Sequence, residues 1–513
     1  MSPMLRLPSK SVRKWASKNV APLLGIKKNK SKEGYPPPSP STGNCTVHRK
    51  SLILEHTDSK LIEDAYDITS GHELGAGGFG IVQTASLKSA DSVVRAIKTV
   101  RKTSLKTEDL IRREIAILKY LDHPCICRLL ETFEDQRHIY IVMELIDGRE
   151  LFDDIIEQRR LDERRAAGIM KQVFGALHYC HERNVLHRDL KPENIMVQRS
   201  SVETEACVGG GKAPQVKLID FGLAMICESR TSMGPAGSSI MGTNDYLAPE
   251  ARRGCCTPAS DIFSTGVVLH VMLVGYLPNE IEADGDYVLD GDSWNTVSLE
   301  AKDLVHHLLH WDQKKRISAA EAAAHKWTQG VGTTVFHSEY VSRMMQDFTS
   351  FHQSVKLRQA ALTALAMQLT TEQLMVHREQ FIAVDSDGNG RISKDELAKS
   401  IAAASPMCAT EVMSWIENIF DSIDTDGSQE IDYTEWIAAA MHEGACRSEE
   451  AVRAAFRVFD VDGNGRIDEA EFAKVLLQSP QEVASLLPQY DANGDGVIDF
   501  EEFKNILSFR STS

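Results

Sequence analysis

No apolar run in this chain approaches the ~18–20 residues needed to cross a bilayer. The longest, near Gly266 to Leu277, is interrupted by His270 and suits a buried helix. Cysteine is sparse and unpatterned. The ten cysteines among 513 residues include Cys125-x-Cys127 and the adjacent Cys255-Cys256, and spell neither a zinc site nor a disulfide framework. They read as reduced thiols in a cytosolic setting. A surplus of basic charge is also missing: 57 Lys and Arg stand against 73 Asp and Glu, a net charge of −16. That balance argues against nucleic acid as a partner. The chain opens Met1-Ser2, not Met-Gly, so the usual start for N-myristoylation is absent.

A chain of 513 residues exceeds what one core supports, so more than one domain is expected. Apolar content of 42% and charge of 25% are ordinary for a globular protein. The first 32 residues contain Lys and Arg but no Asp or Glu. Residues 1–60, with Lys27-Lys28-x-Lys30-x-Lys32 and Pro36-Pro37-Pro38-Ser39-Pro40, lack a sustained hydrophobic period. A disordered basic leader is expected there. Three uses stand open: peripheral contact with a membrane surface, a transit-like segment built on Arg6, Arg13, Lys14 and Lys18, or a solvated tail.

Leu74-Gly75-Ala76-Gly77-Gly78-Phe79-Gly80-Ile81-Val82 spells G-x-G-x-x-G-x-V. Glycines there let a backbone close over phosphates with no side chain in the way. Alone, the glycines also suit a dinucleotide loop. Val82 after the third glycine, and Arg95-Ala96-Ile97-Lys98 with its lysine sixteen residues later, favour the protein kinase version. Helical spacing of Ile111, Ile115, Leu118 and Leu121 follows. Glu114 on that helix is either the ion-pair partner of Lys98 or an exposed glutamate beside Arg112 and Arg113. His138-Ile139-Tyr140-Ile141-Val142-Met143 alternates as a strand should. Then comes His187-Arg188-Asp189-Leu190-Lys191-Pro192-Glu193-Asn194, which fits H-R-D-L-x-x-x-N without mismatch. Lys217-Leu218-Ile219-Asp220-Phe221-Gly222 and Ala248-Pro249-Glu250 complete the set.

This stretch, roughly residues 68–327, resembles the Ser/Thr protein kinases, an α+β bilobal fold. The resemblance implies a role for each matched residue. Asp189 accepts the proton of a substrate hydroxyl and Lys191 steadies the transferring phosphoryl group. Asn194 and Asp220 hold magnesium. Lys98 pairs the α- and β-phosphates of ATP, held by Glu114. Met143 is the gatekeeper, Glu144 to Ile146 form the adenine hinge, and Glu150 meets the ribose or a basic substrate side chain. Phe221 packs under the helix of Glu114, and Arg316 pairs with Glu250. There are departures. Phe263 replaces the usual Trp, Val197 to Val216 looks inserted, and the region between Tyr276 and Leu299 is short for substrate docking. Ser239, four residues before Thr243, is read either as a phosphorylation site or as an unmodified serine.

The last third repeats itself. Four windows fit the EF-hand loop D-x-[DN]-x-[DN]-G-x5-E, whose oxygens surround calcium. The first takes Asp385, Asp387, Asn389, the Arg391 carbonyl and Glu396; the second, Asp424, Asp426, Ser428, the Glu430 carbonyl and Glu435. The third takes Asp460, Asp462, Asn464, the Arg466 carbonyl and Glu471; the fourth, Asp491, Asn493, Asp495, the Val497 carbonyl and Glu502. Their starts lie 39, 36 and 31 residues apart, and each has Ile at its eighth position. The second has Gln429 where glycine belongs, so weaker binding is expected there.

Between the two regions, Val341, Met344, Met345, Phe348 and Phe351 recur at helical spacing, followed by Leu357, Ala360, Ala361, Leu365 and Met367. This is either a packing helix or an autoinhibitory helix that masks the cleft until calcium opens a groove to capture it. Lys356-Leu357-Arg358-Gln359-Ala360-Ala361-Leu362 is similar to the junction of calcium-dependent protein kinases of plants and apicomplexan parasites. Thr349 and Ser350 fall near where that family has basic residues that plug the cleft, with Arg343 a nearby substitute. The resemblance implies a calcium-activated kinase acting on Ser/Thr of proteins, using ATP, magnesium and calcium. Glu150 and Glu193 would favour a basic residue near the target. The expected organisation is a leader (1–60), a kinase domain (68–327), a junction helix (328–372) and two all-α EF-hand pairs (373–445 and 446–513). A cytoplasmic monomer is expected, with membrane association through the leader as a variant. Two other functions compete: a calcium-sensing scaffold with a weak or inactive kinase domain, and a constitutive kinase whose EF-hands buffer calcium.

Overall fold

The computed structural model describes residues 49–57, 60–77, 80–198, 214–227, 244–279, 289–330, 338–354, 356–405, 407–441, 448–476, 483 and 487–507. Ser239, Gly242 and Thr243, most of the Val197–Val216 insertion, Gly78 and Phe79 lie outside them. Among the described residues no helix is long and apolar enough to cross a membrane.

The first lobe is a seven-stranded sheet. Its strands are β1 (Leu54–Thr57), β2 (Tyr66–Asp67), β3 (Glu73–Gly77), β4 (Gly80–Leu87), β5 (Ala90–Arg101), β6 (Leu129–Glu134) and β7 (His138–Glu144). The order is β1-β6-β7-β5-β4-β2, with β3 paired to β4. Only β1 runs parallel to its neighbour, β6. Residues 49–57 therefore depart from the expected disordered leader. Helix α1 (Arg49–Leu52) and β1 are ordered because Leu52 and Ile53 are 0% and 4% exposed. Burial of each contributes about 1.5–3 kcal/mol.

Helix α2 (Leu105–Tyr120) begins where the Ser104 hydroxyl accepts the Thr107 amide hydrogen. Its buried face carries Ile111, Ile115 and Leu118, and Glu114 lies on the same side. The second lobe holds β8 (Gly148–Glu150), helices α3 (Leu151–Gln158) and α4 (Glu163–Glu182), β9 (Val185–Leu186), β10 (Ile195–Gln198), β11 (Val216–Leu218), β12 (Met225–Ile226) and helix α5 (Pro258–Val274). Helix α5 is the apolar run noted in the sequence. Every residue from Ser260 to Val274 is buried, and Gly275 closes it at φ 86°. His270 is accommodated because its Nδ1 bonds the Tyr276 carbonyl at 2.9 Å. In the short docking region a four-residue helix, α6 (Asp292–Asn295), buries Trp294.

Helices α7 (Ser338–Gln353) and α8 (Lys356–Gln368) form the junction. The calcium module follows as α9 (Thr371–Val384), α10 (Lys394–Ala404), α11 (Ala409–Ile423), α12 (Tyr433–Ala440), α13 (Glu449–Phe459), α14 (Glu469–Leu476) and α15 (Phe500–Leu507). Ile392 pairs with Ile431 and Ile467 with Ile498, so the loops are coupled two by two as their eighth-position isoleucines suggest. Helix α8 is enclosed on every side, packing on α12, α13 and α15. Its alanines let those neighbours approach closely. Phe348 of α7 is fully buried, 5.2 Å edge-on from Trp436, and the Trp415 indole donates to the Thr349 hydroxyl at 3.3 Å. Thr349, which the family resemblance puts near the cleft, thus lies against the calcium module in this structure. The reason is the apolar stripe of α7, which finds a matching groove there.

The module docks on the rear of the kinase domain. Arg128 donates to the carbonyls of Ala366 and Leu369, and Arg95 to that of Gln368. Arg378 donates to the carbonyls of Pro124 and Val216. Within the second lobe, Arg316 meets Glu250 as expected, through two nitrogens at 2.5 and 3.2 Å. The Arg316 side chain is 0% exposed. Arg316→Met should therefore leave Glu250 charged and unpaired, at a cost of about 3–5 kcal/mol. A thermal scan should show the kinase transition lowered by on the order of 10 °C; an unmoved transition would mean the pair contributes nothing.

Candidate active site and calcium loops

Strand β5 sits between β4 and β7, placing Lys98 beside Val82 and Ile141. Its ammonium reaches Glu114 at 2.7 Å and Asp220 at 3.0 Å. Burial works against the charge on Lys98, but the two carboxylates outweigh it and hold the ammonium above its usual range. Burial likewise opposes ionisation of Asp220, and Lys98 holds that carboxyl below its usual range. Glu114 is pushed up by burial, while Lys98 pulls it back. Two carboxylates share one ammonium, which leaves a negative charge over. A divalent cation at Asp220 fits that excess. Asp220 has φ 57°, a left-handed conformation that Asp tolerates better than most residues.

The catalytic loop is gripped from beneath by Asp261 of α5. It accepts the backbone hydrogens of His187 and Arg188 at 3.0 and 2.9 Å and faces His181 Nε2 at 3.0 Å. Arg188 can then adopt φ 67°. The His187 ring lies 4.7 Å from that of Phe221, which is buried in the core that also holds Ile115. Above this support, Lys191 Nζ is 3.0 Å from Asp189 Oδ2. The Asn194 amide donates to the carbonyl of Asp189 at 2.7 Å and to its Oδ2 at 3.1 Å. All six residues expected to carry catalysis therefore converge, from β5, α2, the 187–194 loop and the turn after β11.

The cleft roof is β3 and β4, with Gly75, Ala76 and Gly77 on one strand and Gly80, Ile81 and Val82 on the other. Leu74 and Ile81 are 52% and 46% exposed, available to a nucleotide. Gly80 is obligatory: its φ is 130°, and a Cβ there would lie 2.2 Å from the Thr99 carbonyl. Met143 and Ile146 are half-buried at the hinge. Glu144 lies deeper than Met143 and Ile146. Its carboxylate is 3% exposed and bonds Lys217 Nζ at 2.6 Å and the Arg128 side chain at 3.1 Å. Two buried cations claim the side chain and the Glu144 N–H donates to the Arg128 carbonyl at 3.1 Å, so neither is left for adenine. Glu150 starts α3 and is pushed up by burial, then by Asp153 and Glu193.

This arrangement suits phosphoryl transfer. A substrate hydroxyl set against Asp189 would give its proton to that carboxylate as its oxygen bonds the γ-phosphorus of ATP, while the bond to the β-phosphate oxygen breaks and ADP leaves. Lys191, with its Nζ 3.0 Å from Asp189, is placed to steady the transferring oxygens. Lys98, held by Glu114, would pair with the α- and β-phosphates. Magnesium held by Asp220 and Asn194 would offset the phosphate charge.

The calcium loops share one geometry. In each, the sixth backbone N–H donates to the first aspartate: Gly390 to Asp385, Gln429 to Asp424, Gly465 to Asp460 and Gly496 to Asp491. The twelfth residue accepts from the second and third amides, as Glu396, Glu435, Glu471 and Glu502 all do. Three carboxylates crowd within 4.8 Å in loops one to three. Asp385 and Asp460 each keep one buried carboxylate oxygen with no hydrogen-bond donor. Burial pushes Asp385, Glu435 and Glu471 up, and neighbouring carboxylates add to the push. Sites of this kind fit a hard dication with oxygen ligands; bound calcium would neutralise the crowd. Arg391 also ties loops one and two together, reaching Glu430 at 2.8 Å and Asp432 at 3.0 Å.

Several working residues carried no signal in the sequence. Arg128 and Arg378 belong to no motif, and Arg95, though it opens the Arg95–Lys98 motif, carries no sign there of its bond to the junction; their partners are mostly backbone carbonyls. Two outcomes follow from the geometry. Asp189→Ala should keep ATP binding but lower transfer at least about 100-fold, the scale of lost general-base action; transfer at the wild-type rate would overturn the role of Asp189. Gln429 has φ 67°, where a side chain costs about 1–2 kcal/mol. Gln429→Gly should tighten calcium at the second loop by roughly 5- to 30-fold in calorimetric titration.

Comparison with known proteins agrees with this geometry. Residues 68–328 match the protein kinase domain family. Residues 413–477 match the EF-hand domain pair, and 378–401 and 485–507 match the EF hand. The chain is 37% identical over 448 residues to calcium-dependent protein kinase 3 of Plasmodium berghei, covering 85% of this chain and 77% of the relative. It is 32% identical over 448 residues to calcium-dependent protein kinase 5 of Plasmodium falciparum, covering 85% and 75%. With calcium-dependent protein kinase 9 of Arabidopsis thaliana it shares 34% identity over 470 residues, covering 86% and 82%. A complete transfer site and four calcium loops in one chain, with relatives matched along most of their length, make this chain a member of the calcium-dependent protein kinases.

Proposed function

We propose that this Ser/Thr kinase is switched by where its junction lies. With calcium, the EF-hand groove holds α7 and α8 and the module rests behind the kinase domain. Without calcium, α7 leaves the groove and covers the cleft, so that substrate is excluded. The observation that supports this reading is the seat of α8. It is enclosed by helices of both EF-hand pairs, and its last carbonyls are held by Arg95 and Arg128 of the kinase domain. A helix held from both sides is a joint that two equilibria bias together. The carboxylates of Glu150, Asp153 and Glu193 lie close enough to act on one another beside Lys191. They support a preference for substrates with a basic residue near the target.

The test is transfer of labelled γ-phosphate from magnesium-ATP to an Arg-x-x-Ser peptide, with calcium and then with a calcium-selective chelator. Activity confined to calcium is expected. Glu396→Ala and Glu471→Ala should raise the calcium needed for half activation at least about 10-fold, since each removes the bidentate ligand of its loop. Equal activity with and without calcium would sink the switch.

A further inference from the structure

Residues 49–57 precede the kinase-domain match, which begins at residue 68. They nonetheless form a strap between α2 and the calcium module, anchored by buried Leu52, Ile53 and His56. Arg49 Nη1 donates to the carbonyls of Lys119 and Leu121 at 3.2 and 2.9 Å, at the last turn and cap of α2. Carbonyls at a helix C-terminus lack intrahelical partners and carry partial negative charge, so a guanidinium there both bonds them and opposes the dipole. The Arg49 side chain is 10% exposed, and its Nε lies 3.6 Å from Asp122 Oδ1. Glu55 of β1 pairs with Lys119 as a second hold on that turn.

The strap's other side meets the EF-hands. Asp122 Oδ2 accepts from the Thr434 backbone at 2.9 Å, in the first turn of α12, within the second calcium loop's last residues. The Ser51 hydroxyl donates to the Val475 carbonyl of α14 at 3.0 Å. His56 bonds Glu131 of β6, and Glu131 also takes Arg457 of α13. Helix α2 is continuous from Leu105 to Tyr120, so the placement of its last turn sets the placement of Glu114.

We propose that Arg49 is a positioning residue for the Lys98–Glu114 pair, and that the strap carries the position of the EF-hands to α2. The second part rests on the calcium switch proposed above; the first does not.

The test uses the full chain with Arg49→Met, which keeps the length of the stem, and Arg49→Lys, which keeps the charge but loses the fork. kcat and KM for ATP are measured in saturating calcium and in chelator, per active site, alongside the thermal midpoint. Arg49→Met should lower kcat/KM for ATP roughly 10-fold in saturating calcium, the scale of a partly buried cation at a helix C-terminus. Arg49→Lys should recover most of it, leaving about a 2- to 3-fold loss. Arg49→Met should also raise the calcium needed for half activation. A lowered thermal midpoint with unchanged kcat/KM would mean a merely structural role and overturn the proposal. If Arg49→Met does not fold, unchanged ATP kinetics in Arg49→Lys overturn it equally. Should the wild type prove as active in chelator as in calcium, the switch fails, while a deficit of Arg49→Met under both conditions still supports positioning.

Discussion

One ammonium group holds this molecule's chemistry together. Lys98 is buried, and burial of a charge is tolerated only where partners repay the lost water. Glu114 and Asp220 do so from two different elements. The pair to Glu114 requires α2 to be swung in, and the pair to Asp220 requires the turn after β11 to face the cleft. Both ligands of one cation therefore report on the arrangement of the whole lobe. Anything that moves α2, β5 or that turn is felt at the phosphates.

The calcium module reaches each of those parts from behind. Arg95 lies on β5, three residues before Lys98, and bonds Gln368 of the junction. Arg128 bonds the junction carbonyls and also Glu144, the first residue after the gatekeeper. Glu144 is in turn shared with Lys217, shortly before Asp220. Arg95 and Arg128 are buried, so a departing junction would take Gln368 from Arg95 and leave Arg128 to Glu144. Loss of their partners would cost far more than loss of a surface pair. The same logic runs in the calcium loops, where carboxylates are crowded and buried ahead of the ion that suits them.

Much of this was legible in residue patterns. The glycines over the phosphates, the eight residues of the catalytic loop and the first, sixth and twelfth positions of the calcium loops are local: each needs its own residue types within a dozen positions. Gln429 could be singled out in advance because the sixth position needs a left-handed turn whatever surrounds it, and its φ of 67° bears this out. The pairing of Lys98 with Glu114 was legible as well, from helical spacing after the lysine strand. Residues 49–57 were not. Their apolar content is too short to show a period, and β1 is ordered by an edge it borrows from β6.

The sequence by itself determined the reaction, the ions and the division into kinase, junction and calcium loops, because those rest on short-range geometry that only certain side chains satisfy. The tertiary structure alone decided where the junction sits, which face of the kinase domain receives the calcium module, and that a strap from the leader wedges between them. Those contacts join residues hundreds apart, as Arg128 joins Leu369 and Ser51 joins Val475. Their acceptors are backbone carbonyls, which every residue carries, so no choice of side chain announces them.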